Sequence, residues 1–486
     1  MDFNRALLTG VFLFGAGEAS AALLLGAPVL ETYSHWGEPA FGPCGGPVLS
    51  RTATYLTFLC VSGDVVAGDE NDRADSFLLN RTTREVVRVS VDSAQQDYRF
   101  DSGWGIPSDD GSMVLFGSNG PLDPVLPWKY YDYGIGNVFL RDILSGTTVL
   151  VGKDFLGASR FSGTVLSAAG FESDEVMFAS TDNLLGETDA NGPFAYDIYI
   201  RNWRTGRVEL ISGADGKVQG DCGSGTVGVL SRDGRYVVFD SCSSNLTDDN
   251  PQQVSNLFIH DRLTGEKRRL TRPWHGGEFS YRWVAYVFGV GARRIIADRY
   301  VTFFSNGTEF VEGIGSDSYN YNSYLLDIRD GSIELVSRAW DGSPAARGGT
   351  NIDMSADGRY IAFASLSPDI LPSPEATPAI YVKDRWTGEV VNASAPLGAM
   401  HPSIVANLDL SDDGSTLAFA WRYPETAPAP YTGRTLVYTV SIGSTPTEPP
   451  APEPVPSMGA IARTGAAIVL LFAGLGWLRS RRFRVS

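Results

Sequence analysis

Short apolar runs, each introduced by a small polar turn, recur along most of the chain. "RYVVFDS" (235–241) follows an Asp-Gly turn and alternates into β-branched and aromatic residues, the pattern of a strand leaving a hairpin. About twenty residues later "NLFIHDRLTGE" (256–266) predicts a second strand entering a D-R-x-T-G turn, and "EKRRLT" a third behind it. This pair of anchors occurs seven times. The aromatic residues that close the first anchor are Phe58, Phe116, Phe178, Phe239, Phe303, Phe363 and Phe419, at spacings of 58, 62, 61, 64, 60 and 56 residues. A period near 60 that keeps its phase marks a repeat architecture.

Each unit offers four strand candidates, in the fourth "GTVGVLS", "RYVVFDS", "NLFIHDR" and "EKRRLT", and no long helical pattern intervenes. Four antiparallel strands per repeat form a propeller blade, and radial packing of blades buries the sheet faces. The predicted fold is all-β: a single seven-bladed β-propeller of four-stranded antiparallel blades over residues 22–443. The seventh unit ends at "TLVYTVS" (435–441) without a fourth strand. "PVLETYSHWGEP" (28–39) resembles "SIELVSRAWDGSP" (332–344), a fourth strand plus the start of a next blade. The N-terminal strand is therefore predicted to close the last blade, with residues 29–33 beside 436–440, removing two open edges.

The anchors resemble the WD40-like, PD40 or TolB-like propeller repeats of exported bacterial proteins, whose consensus runs roughly SxDGRYVAF…NL…D(V/I)YVxDxxTG. The resemblance covers about residues 49–441 and is best in the fourth and sixth units. The period is longer than in ordinary PD40 repeats, through an Asp/Asn-rich loop between the second and third strands. Seven units depart from the six blades usual in TolB.

The two ends suggest location. Residues 1–21 carry Arg5, an apolar core at 6–16 and Ala19-Ser20-Ala21, the plan of a signal peptide. "STPTEPPAPEPVP" opens a Pro/Glu-rich linker over 444–457. Residues 458–478 follow as a predicted transmembrane or sorting-signal helix, and 479–486 as a basic cytoplasmic tail with Arg479, Arg481, Arg482 and Arg484. Residues 455–484 resemble PEP-CTERM and IPTL-CTERM sorting tails, although "VPSMG" differs from both motifs. The expected location is periplasmic or cell-surface, anchored to the membrane by the C-terminus.

Composition narrows the partners. A formal net charge of −17 argues against nucleic acid, which needs clustered Lys and Arg. "GSGTVG" (223–228) is a lone G-x-G-x-x-G entering a hairpin and is taken as a Gly-rich loop. "GADGKV" lacks the Ser/Thr of a P-loop, and His35, His260, His275 and His401 have no metal-ligand spacing. "SDDGSTLAF" (411–419) resembles an Asp-box superficially and is explained by its Asp-Gly turn. No catalytic or cofactor-binding residue is assigned. The acidic loops 67–75, 186–192 and 247–252 are expected to be solvated turns, with structural calcium as the alternative.

An exported chain can keep disulfides, and four cysteines allow three connectivities. Cys44 and Cys60 lie symmetrically about the first hairpin turn of unit one, and Cys222 and Cys242 about that of unit four. Residues equidistant from a hairpin turn face each other across the strands, which predicts Cys44–Cys60 and Cys222–Cys242. The leading function is a non-catalytic envelope-associated propeller that binds or scaffolds a protein or glycan partner outside the cytoplasm. The alternative is an extracytoplasmic hydrolase or lyase acting on peptide or polysaccharide at the propeller mouth.

Overall fold

The computed structural model describes residues 22–443, apart from 97–98, 124–135, 154–162, 168–173, 182–183, 187–189, 193–194, 215–217, 251–252, 278, 280–286, 291–294, 297, 315–319, 375–376 and 402–406. The predicted signal peptide, linker, apolar helix and tail arginines Arg479, Arg481, Arg482 and Arg484 lie outside the described residues. Among the described residues no helix is long and apolar enough to cross a membrane.

Seven four-stranded antiparallel sheets form the blades of a β-propeller. Six are meanders whose strands follow chain order from the inner edge to the outer. In blade 4 these are Ser224–Leu230, Tyr236–Ser241, Asn256–Asp261 and Lys267–Arg269. Blade 7 is composite: Leu408–Leu410, Thr416–Arg422 and Thr435–Ser441 come from the C-terminal side, and Val29–Leu30 supplies the outer strand. Val29 lies opposite Thr439 and Leu30 opposite Tyr438, and the Glu31 amide donates to the Val437 carbonyl at 2.9 Å. The ring is closed as the sequence pattern predicts.

The repeated phenylalanine has a packing reason. In every blade it faces an aromatic residue of the third strand: Phe58–Phe77, Phe116–Phe139, Phe178–Tyr199, Phe239–Phe258, Phe303–Tyr324, Phe363–Tyr381 and Phe419–Tyr438. Ring centroids are 5.1–6.3 Å apart, a geometry worth about 0.5–1.5 kcal/mol beyond the area each ring buries. Such pairs then pack against the next sheet; Val229 and Val238 of blade 4 share a core with Val301 and Phe303 of blade 5.

A second repeated device ties the outer strand inward. A hydroxyl just past that strand accepts the amide of the third strand's second residue. The pairs are Ser90 with Ser76, Ser212 with Ile198, Thr271 with Leu257, Ser337 with Ser323 and Ser394 with Ile380, all at 3.0–3.1 Å. In four of them the hydroxyl also donates to the residue that starts the third strand, Asp75, Asp197, Asn256 or Asn322. Each latch supplies a partner for a buried amide.

Both disulfides are intra-blade, Cys44–Cys60 in blade 1 and Cys222–Cys242 in blade 4, and no described cysteine is free. Symmetry about the turn was only part of the reason. Near the turn of blade 1, Leu49 faces Leu56. Continued outward, that register would put Val61 opposite Cys44. A bulge between Gly45 and Val48, with Gly46 in the left-handed region at φ +59°, takes up one residue and brings Cys60 into place. The same positions hold hydrogen-bonded serines in other blades, Ser102 with Ser118 (3.0 Å) and Ser224 with Ser241 (2.7 Å). Cys222–Cys242 sits just beyond the latter pair, so the two bridges are not at equivalent sites.

Blades are also joined by ion pairs. Arg262, in the D-R-x-T-G turn of blade 4, reaches Glu209 (2.7 Å) and Glu175 (2.8 Å) of blade 3. Arg385 of blade 6 reaches Glu334 of blade 5 at 3.5 Å. At the closure, Glu31 is 2% exposed and accepts from Arg81 (2.9 Å), Arg84 and the Thr439 hydroxyl (2.7 Å). The N-terminal strand is thus held by charge as well as by its ladder.

Candidate functional site

Antiparallel blades give a propeller two different ends. Connections from first to second and from third to fourth strand lie at one end, the turn end. Connections from second to third strand, and from each blade to the next, lie at the other, the loop end.

The turn end is short and regular. Ser231, Ser355 and Ser411 each donate to the Asp two residues on, Asp233, Asp357 and Asp413, at 2.6 Å, as Ser108 does to Asp110 at 2.7 Å. The arginine of "DGRY" or "ADRY" pairs with the Asp that ends the third strand: Arg235–Asp261 (2.6 Å), Arg299–Asp327 (2.5 Å) and Arg359–Asp384 (2.8 Å). In these turns the carboxylates pair with hydroxyls or cations. In the described turn-end connections 12 Asp and Glu face 12 Lys and Arg.

The loop end is different. Its described connections hold 17 Asp and Glu against 7 Lys and Arg, so among the described connections the excess negative charge gathers there. Some of it is neutralised locally: Asp69 by Arg88 at 2.9 Å, and Asp249 by Arg272 at 2.5 Å. Glu38, Glu70, Asp72, Asp101, Asp248 and Asp341 are exposed.

Of the four exposed indoles among the described residues, three stand on this end; the fourth, Trp386, lies in a turn-end connection with the Arg359 guanidinium 4.8 Å over its ring. Where blade 5 passes to blade 6, the Ala339 amide donates to Ser343 (2.8 Å) and the Gly342 amide to Ala339 (2.9 Å), with Gly342 at φ +86°. This is a three-residue hairpin tip that needs a left-handed residue at its last position. Ser34–Glu38 repeats it with Gly37 at φ +88° where blade 7 passes to blade 1, and Pro273–Gly276 repeats its inner turn where blade 4 passes to blade 5. Each corner is pinned to the next blade's acidic loop. The amides of Trp340, His35 and Trp274 donate to the carbonyls of Asp369 (3.0 Å), Asp64 (2.8 Å) and Glu309 (2.8 Å). Trp340 is 62% exposed, Trp274 52% and Trp36, beside His35, 64%. Both disulfides also lie at the loop end: Cys44–Cys60 joins the loop-end termini of the first and second strands of blade 1, and Cys222–Cys242 joins the connection entering blade 4 to that blade's second-to-third-strand loop.

At the ring's centre the inner strands present two carboxylates. Asp353 accepts the Leu410 amide of blade 7, and Asp409 accepts the Leu49 amide of blade 1, both at 2.7 Å. They satisfy inner-edge amides that no further strand can reach. Among the described residues no group of three His, Cys, Asp or Glu could hold a metal ion. In loop 67–75 the Asn71 side chain donates to Asp75 at 2.8 Å, and Asp69 is the carboxylate already paired with Arg88.

The four histidines stand apart. His35 and His275 lie in two corners, where their Nδ1 atoms meet the carbonyls of Asp64 (2.8 Å) and Gly276 (2.7 Å). His401 lies between blades 6 and 7, and His260 is buried in the third strand of blade 4. Burial, followed by the Lys267 charge, pushes the His260 pKa down to about 4. "GSGTVG" is not a loop: all but its first residue lie in the inner strand Ser224–Leu230, which bulges between Ser224 and Gly228. "YSHWGEP" and "RAWDGSP", whose likeness predicts ring closure, are two of the corners. Their shared Gly before a Pro also marks tight corners that project an aromatic residue.

No family model matches the sequence, and no curated protein does. Solved propellers are similar in fold. The chain aligns with an oligogalacturonate lyase from Vibrio parahaemolyticus at 11% identity and TM-score 0.49, covering 87% of this chain and 98% of that one. It aligns with TolB from Acinetobacter baumannii at 14% identity and TM-score 0.35, covering 77% of each chain. A putative TolB from Agrobacterium tumefaciens matches at 15% identity and TM-score 0.35, over 62% of this chain and 82% of that one.

Proposed function

We propose that this propeller is a non-catalytic binding module, exported and held at the membrane by its C-terminal tail, whose loop end takes a protein partner with a basic surface. The observation that carries the reading is the meeting, at one end of the ring, of the acid excess and the exposed Trp36, Trp274 and Trp340. Indole faces beside carboxylates suit Lys and Arg side chains, which gain both cation–π and charge contacts. Trp is enriched among residues that dominate interfaces. The two disulfides support an oxidising compartment. Chemistry at the mouth is less well supported, because Asp353 and Asp409 are already engaged with backbone amides.

The test is site-specific photocrosslinking in cells. A benzophenone amino acid is placed at 36, 274 or 340, and as controls at the exposed turn-end positions 144 and 263. The reading requires the same protein adduct from loop-end probes and none from the controls, weakened by salt. Adducts from turn-end probes would overturn it. A salt-insensitive polysaccharide adduct would replace the protein partner with a neutral glycan.

A further inference from the structure

Blades 3 and 4, and blades 5 and 6, are bridged between their outer faces by an arginine and a glutamate. Glu209 lies opposite Ile200 in its ladder and meets Arg262, the residue after Asp261; Glu334 and Arg385 hold the same positions. Between blades 2 and 3 those two positions are Val149, opposite Leu140, and Trp203, the residue after Asn202. Where aliphatic pairs stand there instead, Val87 with Ile143 and Val391 with Ile442, they pack into the core clusters. A valine and an indole do not close the gap. A groove of about 820 Å³ opens, walled by Val149, Leu184, Leu185 and Trp203.

Its charge is opposite to that of the chain. Lys153, Arg201 and Arg204 line it against Asp142, in a protein of net charge −17. Arg201 is 6% exposed and donates to the carbonyls of Val151 and Lys153, which fixes a cation in the wall. Arg204 lies 4.2 Å over the Trp203 ring and pairs with Asp174 at 2.7 Å. The Lys153 ammonium makes no ion pair among the described residues. Volume, apolar walls and a few charged groups are the attributes of a small-molecule site.

We propose that this groove binds a small carboxylate with an apolar body, the body against Val149, Leu185 and the Trp203 ring and the carboxylate at Lys153. The site lies between blades 2 and 3 at the side of the ring, and none of its lining residues is Trp36, Trp274 or Trp340.

The test is titration calorimetry of the full chain in detergent, against a detergent blank, with 4-phenylbutyrate and with 4-phenylbutylammonium, which has the same body and opposite charge. The anion is expected to bind at least about tenfold more tightly, a difference of about 1.4 kcal/mol. Lys153→Gln should remove about that factor. Val149→Glu with Trp203→Arg installs the bridge of blades 3 and 4 and should abolish binding. If that pair does not fold, Val149→Trp fills the groove and should do the same. Equal binding of the two probes, or binding that survives the filled groove, overturns the proposal.

Discussion

Replacing Glu31 by Ala should loosen the whole ring, because one carboxylate holds the N-terminal strand to blade 1. The change leaves Arg81 and Arg84 without their anion and the Thr439 hydroxyl without its acceptor. Breaking a fully buried pair costs about 3–5 kcal/mol. Here the arginine side chains are 22% and 38% exposed and can regain water, which lowers the expected loss to about 2–3 kcal/mol. For a domain of roughly 420 residues, the unfolding entropy near the midpoint turns this into a Tm shift of about 2–4 °C. Urea titration followed by tryptophan fluorescence measures it, with an unchanged slope and a lower midpoint expected. Glu31→Gln, which keeps an oxygen for Thr439, should fall between parent and Ala. Arg84→Ala should cost under about 1 kcal/mol because that side chain is the more exposed. A Glu31→Ala unfolding free energy within about 0.5 kcal/mol of the parent's, or no coupling between Glu31 and Arg81 in a double-mutant cycle, would refute the argument that closure rests on this contact.

Non-reducing peptide mapping should yield two linked peptides, Cys44–Cys60 and Cys222–Cys242, and a peptide joining blades 1 and 4 would contradict the fold. Their sequence separations of 16 and 20 residues give a chain-entropy contribution of about 3 kcal/mol each, so reduction should lower the urea midpoint. Burial raises the Asp75 pKa to about 7. Between about pH 4 and 7 the folded chain then holds a proton that the unfolded chain has lost, and the parent should grow more stable as pH falls through that window. Asp75→Asn places there the residue that starts the third strand in blades 2, 4 and 5. It should add about 1–3 kcal/mol at pH 8, a gain that shrinks to nothing near pH 4; a gain that does not change with pH would refute the assignment.

Blade number and ring closure were legible because one residue per repeat, the buried Phe, must meet an aromatic partner in register, and that requirement marks the sequence at a fixed period. The disulfides were legible for a weaker reason. Counting from the turn located both pairs, yet the bulges that bring the cysteines opposite each other leave little trace beyond glycines such as Gly45 and Gly46. The latches at Ser90, Ser212, Thr271, Ser337 and Ser394 were present in the repeat as "RVS", "LIS" and "RLT". A lone hydroxyl after a strand has no distinctive spacing, so only the structure gives it a partner. The loop end was hidden for a third reason. Acidic residues are spread along the whole chain, and their segregation emerges only when connections are sorted by the end to which the strands deliver them. The groove between blades 2 and 3 depends on comparing Val149 and Trp203 with Glu209 and Arg262, which needs the register of four outer strands.

The loop-end claim is tested most directly by hydrogen–deuterium exchange on the full chain, with and without the partner captured by the crosslinks at 36, 274 or 340. Protection is predicted at the corners 34–38 and 339–343 and in the acidic loop 61–74, with the turn-end segments 231–235 and 385–389 unchanged. Protection confined to the turn end or to the outer strands would contradict the account.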